Sequence, residues 1–162
     1  AGMKHITYAS SIAVYGPPTP AQAGQVLREA VQAPATLYGV YKVANEGTAR
    51  VYWREHGISS IGLRPYTVYG LGRDQGLTSD PTQAMLAAAV GRPFHINFHG
   101  PCQYHYASDV ARLFIEASRA DQDGARTYDL GAVSGKANLV QALIMRLMTE
   151  RGELADLGHP DY

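Results

Sequence analysis

Residues 5–14 form a mostly apolar run that ends in small polar side chains, the pattern of a buried strand, with Tyr15-Gly16-Pro17-Pro18 as its stop. A loop rich in Pro, Ala and Gln follows to about Pro34. Over 37–56 the spacing changes to that of a helix, with Leu37, Tyr41, Ala44, Thr48, Val51 and Tyr52 near one face. Gly57 can take the left-handed conformation that closes it. Residues 58–69 predict a second buried strand, and a glycine-rich loop runs from Gly70 to Asp80. Pro81 is suited to the first turn of a helix near 82–90, which Gly91-Arg92-Pro93 ends. A short alternating strand is expected at 94–98, then a helix over 109–120 capped by Ser108, with Val110, Phe114 and Ala117 inward. Tyr128-Asp129-Leu130 predicts a last short strand and 138–149 a last helix. Strands alternating with helices in this order imply an α/β fold with a parallel sheet.

Composition narrows the class but not the function. The chain has 162 residues, 46% of them hydrophobic and 17% charged, which suits a globular domain with a real core. Fourteen basic side chains balance fourteen acidic ones, so nothing draws the chain to nucleic acid or an anionic membrane. No apolar run is long enough to span a bilayer, and the first residues do not read as a signal peptide. A single cysteine, Cys102, excludes an internal disulfide and a cysteine metal cluster. The expected setting is cytoplasmic.

The chemistry centres on Tyr38-Gly39-Val40-Tyr41-Lys42. A spacing of four places a phenol and an ammonium on one helix face, and a nearby cation favours the ionised form of a phenol. Upstream by 27 positions stands Ser11, in Ser10-Ser11-Ile12-Ala13-Val14-Tyr15-Gly16 at the end of the first strand. The two segments together resemble the extended short-chain dehydrogenase/reductases of the NAD-dependent epimerase/dehydratase type, whose pattern is Ser-Ser-x-x-x-Tyr-Gly followed by Tyr-x-x-x-Lys. Arg64-Pro65-Tyr66-Thr67-Val68-Tyr69-Gly70 and Tyr104-His105-Tyr106-Ala107-Ser108-Asp109-Val110-Ala111 resemble later segments of the same family. The resemblance extends over about 3–135.

That resemblance implies a Rossmann-like sheet with flanking helices and an NAD or NADP cofactor. The implied substrate is a sugar nucleotide or another hydroxyl or carbonyl compound. Tyr38 is then the acid/base, Ser11 binds the reacting oxygen, and Lys42 holds the nicotinamide ribose. Backbone from Pro65 through Tyr66 and Thr67 to Val68 contacts the nicotinamide. Arg73 is a candidate for a substrate phosphate, with a plain surface-loop role as its alternative. Asp109 is read as structural, an acid in a helix's first turn. Gly70-Leu71-Gly72-Arg73-Asp74-Gln75-Gly76 is not read as a phosphate loop, since no helix opens directly from it. His95, His99 and His105 lack the carboxylate or cysteine companions of a metal site.

The family's opening Gly-x-x-Gly-x-x-Gly turn occurs nowhere in the sequence, so the sheet is expected to be partial, lacking the dinucleotide-binding strands. Weak or absent NAD affinity and negligible turnover follow for these residues alone. An uncovered strand edge favours a homo-oligomer. The catalytic region is expected over 1–137. Residues 138–162 resemble phage baseplate wedge proteins of the lysozyme-like W family, and a C-terminal amphipathic helix is the simpler reading. Two alternatives remain open. One is a recombined, non-enzymatic protein that folds as an oligomer, and the other, resting on the tail alone, is a phage structural module.

Overall fold

The computed structural model describes residues 3–17, 31–76, 78–97 and 103–130. They fall into two compact units, one of described residues up to Pro65 together with Ala111–Leu130, the other of described residues within Tyr66–Val110. The fold is α/β with parallel strands and flanking helices.

In the first unit, β1 (His5–Ala9), β2 (Ser59–Arg64) and β5 (Ala125–Asp129) make a parallel sheet in the order β1-β2-β5. The register pairs Ala9 with Leu63 and Leu63 with Tyr128. All six residues of β2 are buried, as expected for the central strand of a parallel sheet covered on both faces. β1 is shorter than the apolar run suggested. Ser11 accepts a hydrogen bond from the Ala13 amide and caps a 3₁₀ turn, Ile12–Tyr15, which ends the extended chain.

Helix α1 (Leu37–His56) begins where Thr36 Oγ1 accepts from the Gly39 amide and ends at Gly57 in the left-handed region. Arg54 lies in its last turn, where a cation complements the helix dipole. Its apolar stripe is not its core face. Leu37 is 74% exposed and Tyr41 64%, and Ala44, Thr48 and Tyr52 are exposed with them while Val51 is half-buried, whereas the buried positions are Gly39 and Glu46. The residues of the stripe do share one side of the helix, but its buried positions are a glycine and a carboxylate.

The single strand expected over 58–69 is two. Pro65 offers no amide to a ladder, and the chain resumes as β3 (Thr67–Tyr69) in a separate sheet. β3 pairs in parallel with β4 (Tyr104–Tyr106), a strand the sequence reading missed, with Val68 opposite His105. Asp80 opens α2 (Asp80–Ala89) with Pro81 in the first turn, and Ala84 and Ala88 are buried. No strand forms at 94–97, where Asn97 instead donates from its backbone and side chain to the Asp80 carboxylate. The helix α3 (Ala107–Arg119) begins directly after β4, so Ser108 lies within its first turn rather than capping it. Val110 is buried and Phe114 and Ala117 are half-buried, as the pattern predicted. The expected helix at 138–149, the boundary near 137 and the tail lie outside the described residues.

Candidate active site

The tip of β1 and the first two turns of α1 meet in the first unit, and glycine allows it. A side-chain carbon on Gly39 would lie 2.5 Å from the Ala13 carbonyl oxygen and 2.8 Å from Pro34 Cβ, so only a residue without one can sit where α1 crosses the 3₁₀ turn. Tyr38, its neighbour in sequence, is 54% exposed. Lys42 follows one turn later. Its ammonium donates to the Ala9 carbonyl at 2.8 Å and stands 5.4 Å from the centroid of the Tyr38 ring. That distance is within cation–π range.

Ser11 is two residues beyond Ala9. Its hydroxyl accepts from Ala13 N at 3.2 Å, which uses a lone pair and keeps the O–H available as a donor. The Pro65 carbonyl accepts from the Ile12 amide at 3.4 Å, tying the end of β2 to the same turn. Ser11, Tyr38, Lys42 and Pro65 therefore belong to one unit, around one strand tip.

Tyr66, Thr67, Val68 and Arg73 belong to the second unit. Thr67 is buried and donates its amide to the Gln103 carbonyl, while the Tyr66 ring lies 5.8 Å from that of His105. Arg73 turns back on its own loop, donating to the Gln75 carbonyl and, at 3.1 Å, to Thr78 Oγ1. His105 is buried, and desolvation holds its imidazole below the usual range, which favours the neutral ring. Among the described residues no group of three or more His, Cys, Asp and Glu side chains is placed to hold a metal, and no helix is long and apolar enough to cross a membrane.

The sequence reading did not anticipate the buried ionic network beneath the strand tip. Glu46, 1% exposed, accepts from Ser10 Oγ at 2.5 Å, from Arg64 Nε at 2.8 Å, from Arg64 Nη2 at 2.7 Å and from Gln32. Arg64 Nη1 reaches Asp129 at 3.3 Å and also donates to the Tyr15 hydroxyl, and the guanidinium lies 5.0 Å from the Tyr15 ring centroid. Tyr15 in turn donates to both oxygens of Asp129 at 2.9–3.0 Å. Burial pushes the Glu46 carboxyl upward, but hydrogen bonds from Arg64 and Ser10 and the guanidinium charge reverse this and hold it below its ordinary value. Burial and the bond to Asp129 push the Tyr15 phenol up to about 12. The available signal was the spacing of Tyr38, Lys42 and Glu46, each four apart and so on one face. The sequence reading used only Tyr38 and Lys42 of this face; the fold shows that Glu46, one turn further on, is buried.

With this geometry in view, the relatives are informative. Residues 1–131 match the model of the NAD dependent epimerase/dehydratase family. An uncharacterised 37.6 kDa protein of Escherichia coli O111:H- is 33% identical over 116 residues, covering 70% of this chain and 33% of that protein. An uncharacterised epimerase/dehydratase of Staphylococcus haemolyticus is 27% identical over 149 residues, covering 88% of this chain and 46% of the relative. Among solved structures, a partial-consensus L-threonine 3-dehydrogenase aligns with a TM-score of 0.70 at 29% identity, over 79% of this chain and 43% of that one. MoeE5, solved with UDP-glucose and NAD, aligns at 0.69 and 27% identity, over 90% and 48%.

The fold is therefore that of the Rossmann-like epimerases and dehydrogenases. The chain belongs to the NAD-dependent epimerase/dehydratase family, and it spans between a third and a half of the length of the relatives named here.

Proposed function

We propose that Ser11, Tyr38 and Lys42 form the acid–base centre of an NAD(P)-dependent oxidoreductase, epimerase or dehydratase acting on a sugar nucleotide or a related hydroxyl or carbonyl compound. The observation that carries this reading is the span of Lys42, from the Ala9 carbonyl at the strand tip to the Tyr38 ring.

The donor set suits the nicotinamide-ribose half of the cofactor. An ammonium has three N–H donors, and among the described residues one is bonded, to the Ala9 carbonyl, so two could serve ribose hydroxyls. The pyrophosphate half is not matched here, because the sequence holds no Gly-x-x-Gly-x-x-Gly turn. When bound, the nicotinamide supplies the hydride acceptor or donor. In the oxidising direction Ser11 would donate a hydrogen bond that orients the substrate oxygen. Tyr38 Oη, as phenolate, would take the hydroxyl proton, and in the reverse direction the phenol would return it. Lys42 stands beside the phenol, its Nζ 5.4 Å from the ring centroid.

The 162-residue chain by itself should hold the nicotinamide half weakly and turn over negligibly. The test is a titration of chain labelled with ¹³C at the tyrosine ζ carbons, using nicotinamide mononucleotide and NAD separately, with Tyr38→Phe identifying one of the eleven tyrosine signals. The Tyr38 signal should move saturably with both ligands at roughly millimolar Kd, near −4 kcal/mol, and Lys42→Ala should abolish the movement. An unmoved Tyr38 signal removes the site and favours a non-enzymatic, oligomeric protein. Micromolar NAD affinity would show that the pyrophosphate is held within these residues after all.

A further inference from the structure

Helix α1 reaches the tip of β1 with two side chains one turn apart, and the second is the more costly. Lys42 holds the Ala9 carbonyl and Glu46 holds the Ser10 hydroxyl, so consecutive residues are fastened to one helix and Ser11 comes next. A carboxylate as buried as Glu46 carries a desolvation penalty of several kcal/mol. Arg64 offsets it with a two-point clasp, Nε to Oε1 and Nη2 to Oε2, which fixes the carboxylate plane as well as its position.

The same guanidinium governs the far end of the turn that Ser11 opens. Tyr15, its last residue, accepts from Arg64 Nη1, lies against the guanidinium and donates to Asp129 at the end of β5. The residue before Ser11 and the last residue of its turn thus converge on one ion pair. Packing alone does not require this, because an apolar pair of similar volume fills such a space without the charge penalty. A hydrogen-bonded carboxylate adds direction: it sets the Ser10 side chain, and hence the backbone leading into Ser11, at one angle to α1.

We propose that Glu46, fixed by Arg64, is a positioning residue that sets where the Ser11 hydroxyl stands relative to Tyr38 and Lys42. This rests on the reading of those three residues as the acid–base centre, but its central claim, that the network orders the Ser11 turn, is measurable without any cofactor.

The decisive variant is Ser10→Ala in the full chain. It deletes the hydroxyl that joins Glu46 to the residue before Ser11 and leaves the Glu46–Arg64 pair and the Tyr15 contacts intact. Glu46→Gln is the companion, retaining shape while removing the charge that Arg64 clasps. Amide hydrogen exchange is followed at Ala13, whose N–H is held by Ser11, and at Val14, whose N–H bonds the Ser11 carbonyl. Both variants should speed exchange there by about tenfold or more while amides in the middle of α1 stay within about twofold, a local opening rather than a global one. The Tyr38 response to nicotinamide mononucleotide should weaken in parallel.

Unchanged exchange in Ser10→Ala, with an undiminished Tyr38 response, overturns the positioning role and leaves the acid–base reading standing. Faster exchange in a chain whose wild type shows no Tyr38 response does the opposite: the network orders the turn, and the functional reading fails. Should Ser10→Ala and Glu46→Gln lower the melting temperature without altering either local readout, Glu46 is a stability residue only and the proposal is wrong.

Discussion

Replacing Gly39 with alanine sets two effects of opposite sign against each other in one residue. Helix propensity favours alanine over an interior glycine by about 1 kcal/mol. At Gly39, however, the added methyl carbon would stand 2.5 Å from the Ala13 oxygen and 2.8 Å from Pro34 Cβ. Close carbon–oxygen contacts settle near 3.3–3.6 Å, so the backbone must yield by roughly 0.8 Å. The obstructing atom is a carbonyl oxygen in a capped turn, which no side-chain rotation can relieve. Overpacking of this kind costs about 1–3 kcal/mol. With the intrusion directed at backbone, the upper half of that range applies, and the net effect is a loss of about 1–2 kcal/mol.

Gly47 provides the internal control, because it lies in the same helix and its added carbon would meet only Arg50 Nη2 at 3.9 Å. Thermal denaturation followed by circular dichroism should show Gly39→Ala melting about 2–8 °C lower and Gly47→Ala about 1–4 °C higher. Gly39→Ala should also blunt the Tyr38 response to nicotinamide mononucleotide, since it drives the Ser11 turn away from α1. If both substitutions raise the melting temperature, α1 and the 3₁₀ turn are not in the close contact on which the site depends.

The buried network predicts a second contrast. Glu46→Ala strands the Arg64 guanidinium with only Asp129 and Tyr15 and should cost about 3–5 kcal/mol, whereas Glu46→Gln keeps a hydrogen-bonding partner and should cost about 1–3 kcal/mol; urea denaturation measures both. The folded Glu46 carboxyl is held below its unfolded value near 4.5, so its contribution is present above that pH and is lost as pH falls through the folded value. Glu46→Gln should accordingly show a flatter loss of stability below about pH 4.5 than the wild type. The exposed apolar stripe of α1 and the single-sided pairing of β1 among the described strands predict self-association, and Tyr41→Glu should shift the chain toward monomer in light scattering at high concentration. A wild type that is monodisperse and monomeric would remove the basis for that expectation.

Much of the molecule was legible from local pattern. Residues 37–56 form a helix because its start at Thr36, its stop at Gly57 and its spacing are all short-range properties of the chain. Tyr38 and Lys42 share a face for the same reason, and the motif around Ser10 and Ser11 marked a strand tip that the structure places beside them. The parallel order of strands followed from their alternation with helices. Local pattern did not reveal which face of α1 turns inward. A stripe of Leu37, Tyr41, Ala44, Thr48, Val51 and Tyr52 carries the ordinary signature of a core face, yet all of these but the half-buried Val51 are exposed, while Gly39 and Glu46 are buried. Periodicity reports that apolar side chains align and is silent about what they align against. The inward face was chosen by partners distant in sequence: the Ala13 carbonyl that demands a glycine, and the Arg64 guanidinium and Ser10 hydroxyl that make a buried carboxylate tolerable. Those partners meet only when the strands have paired, so the spacing that puts Tyr38 and Lys42 on one helix face could be read from the chain, whereas the ionic network of Glu46 and Arg64 belongs to the tertiary structure.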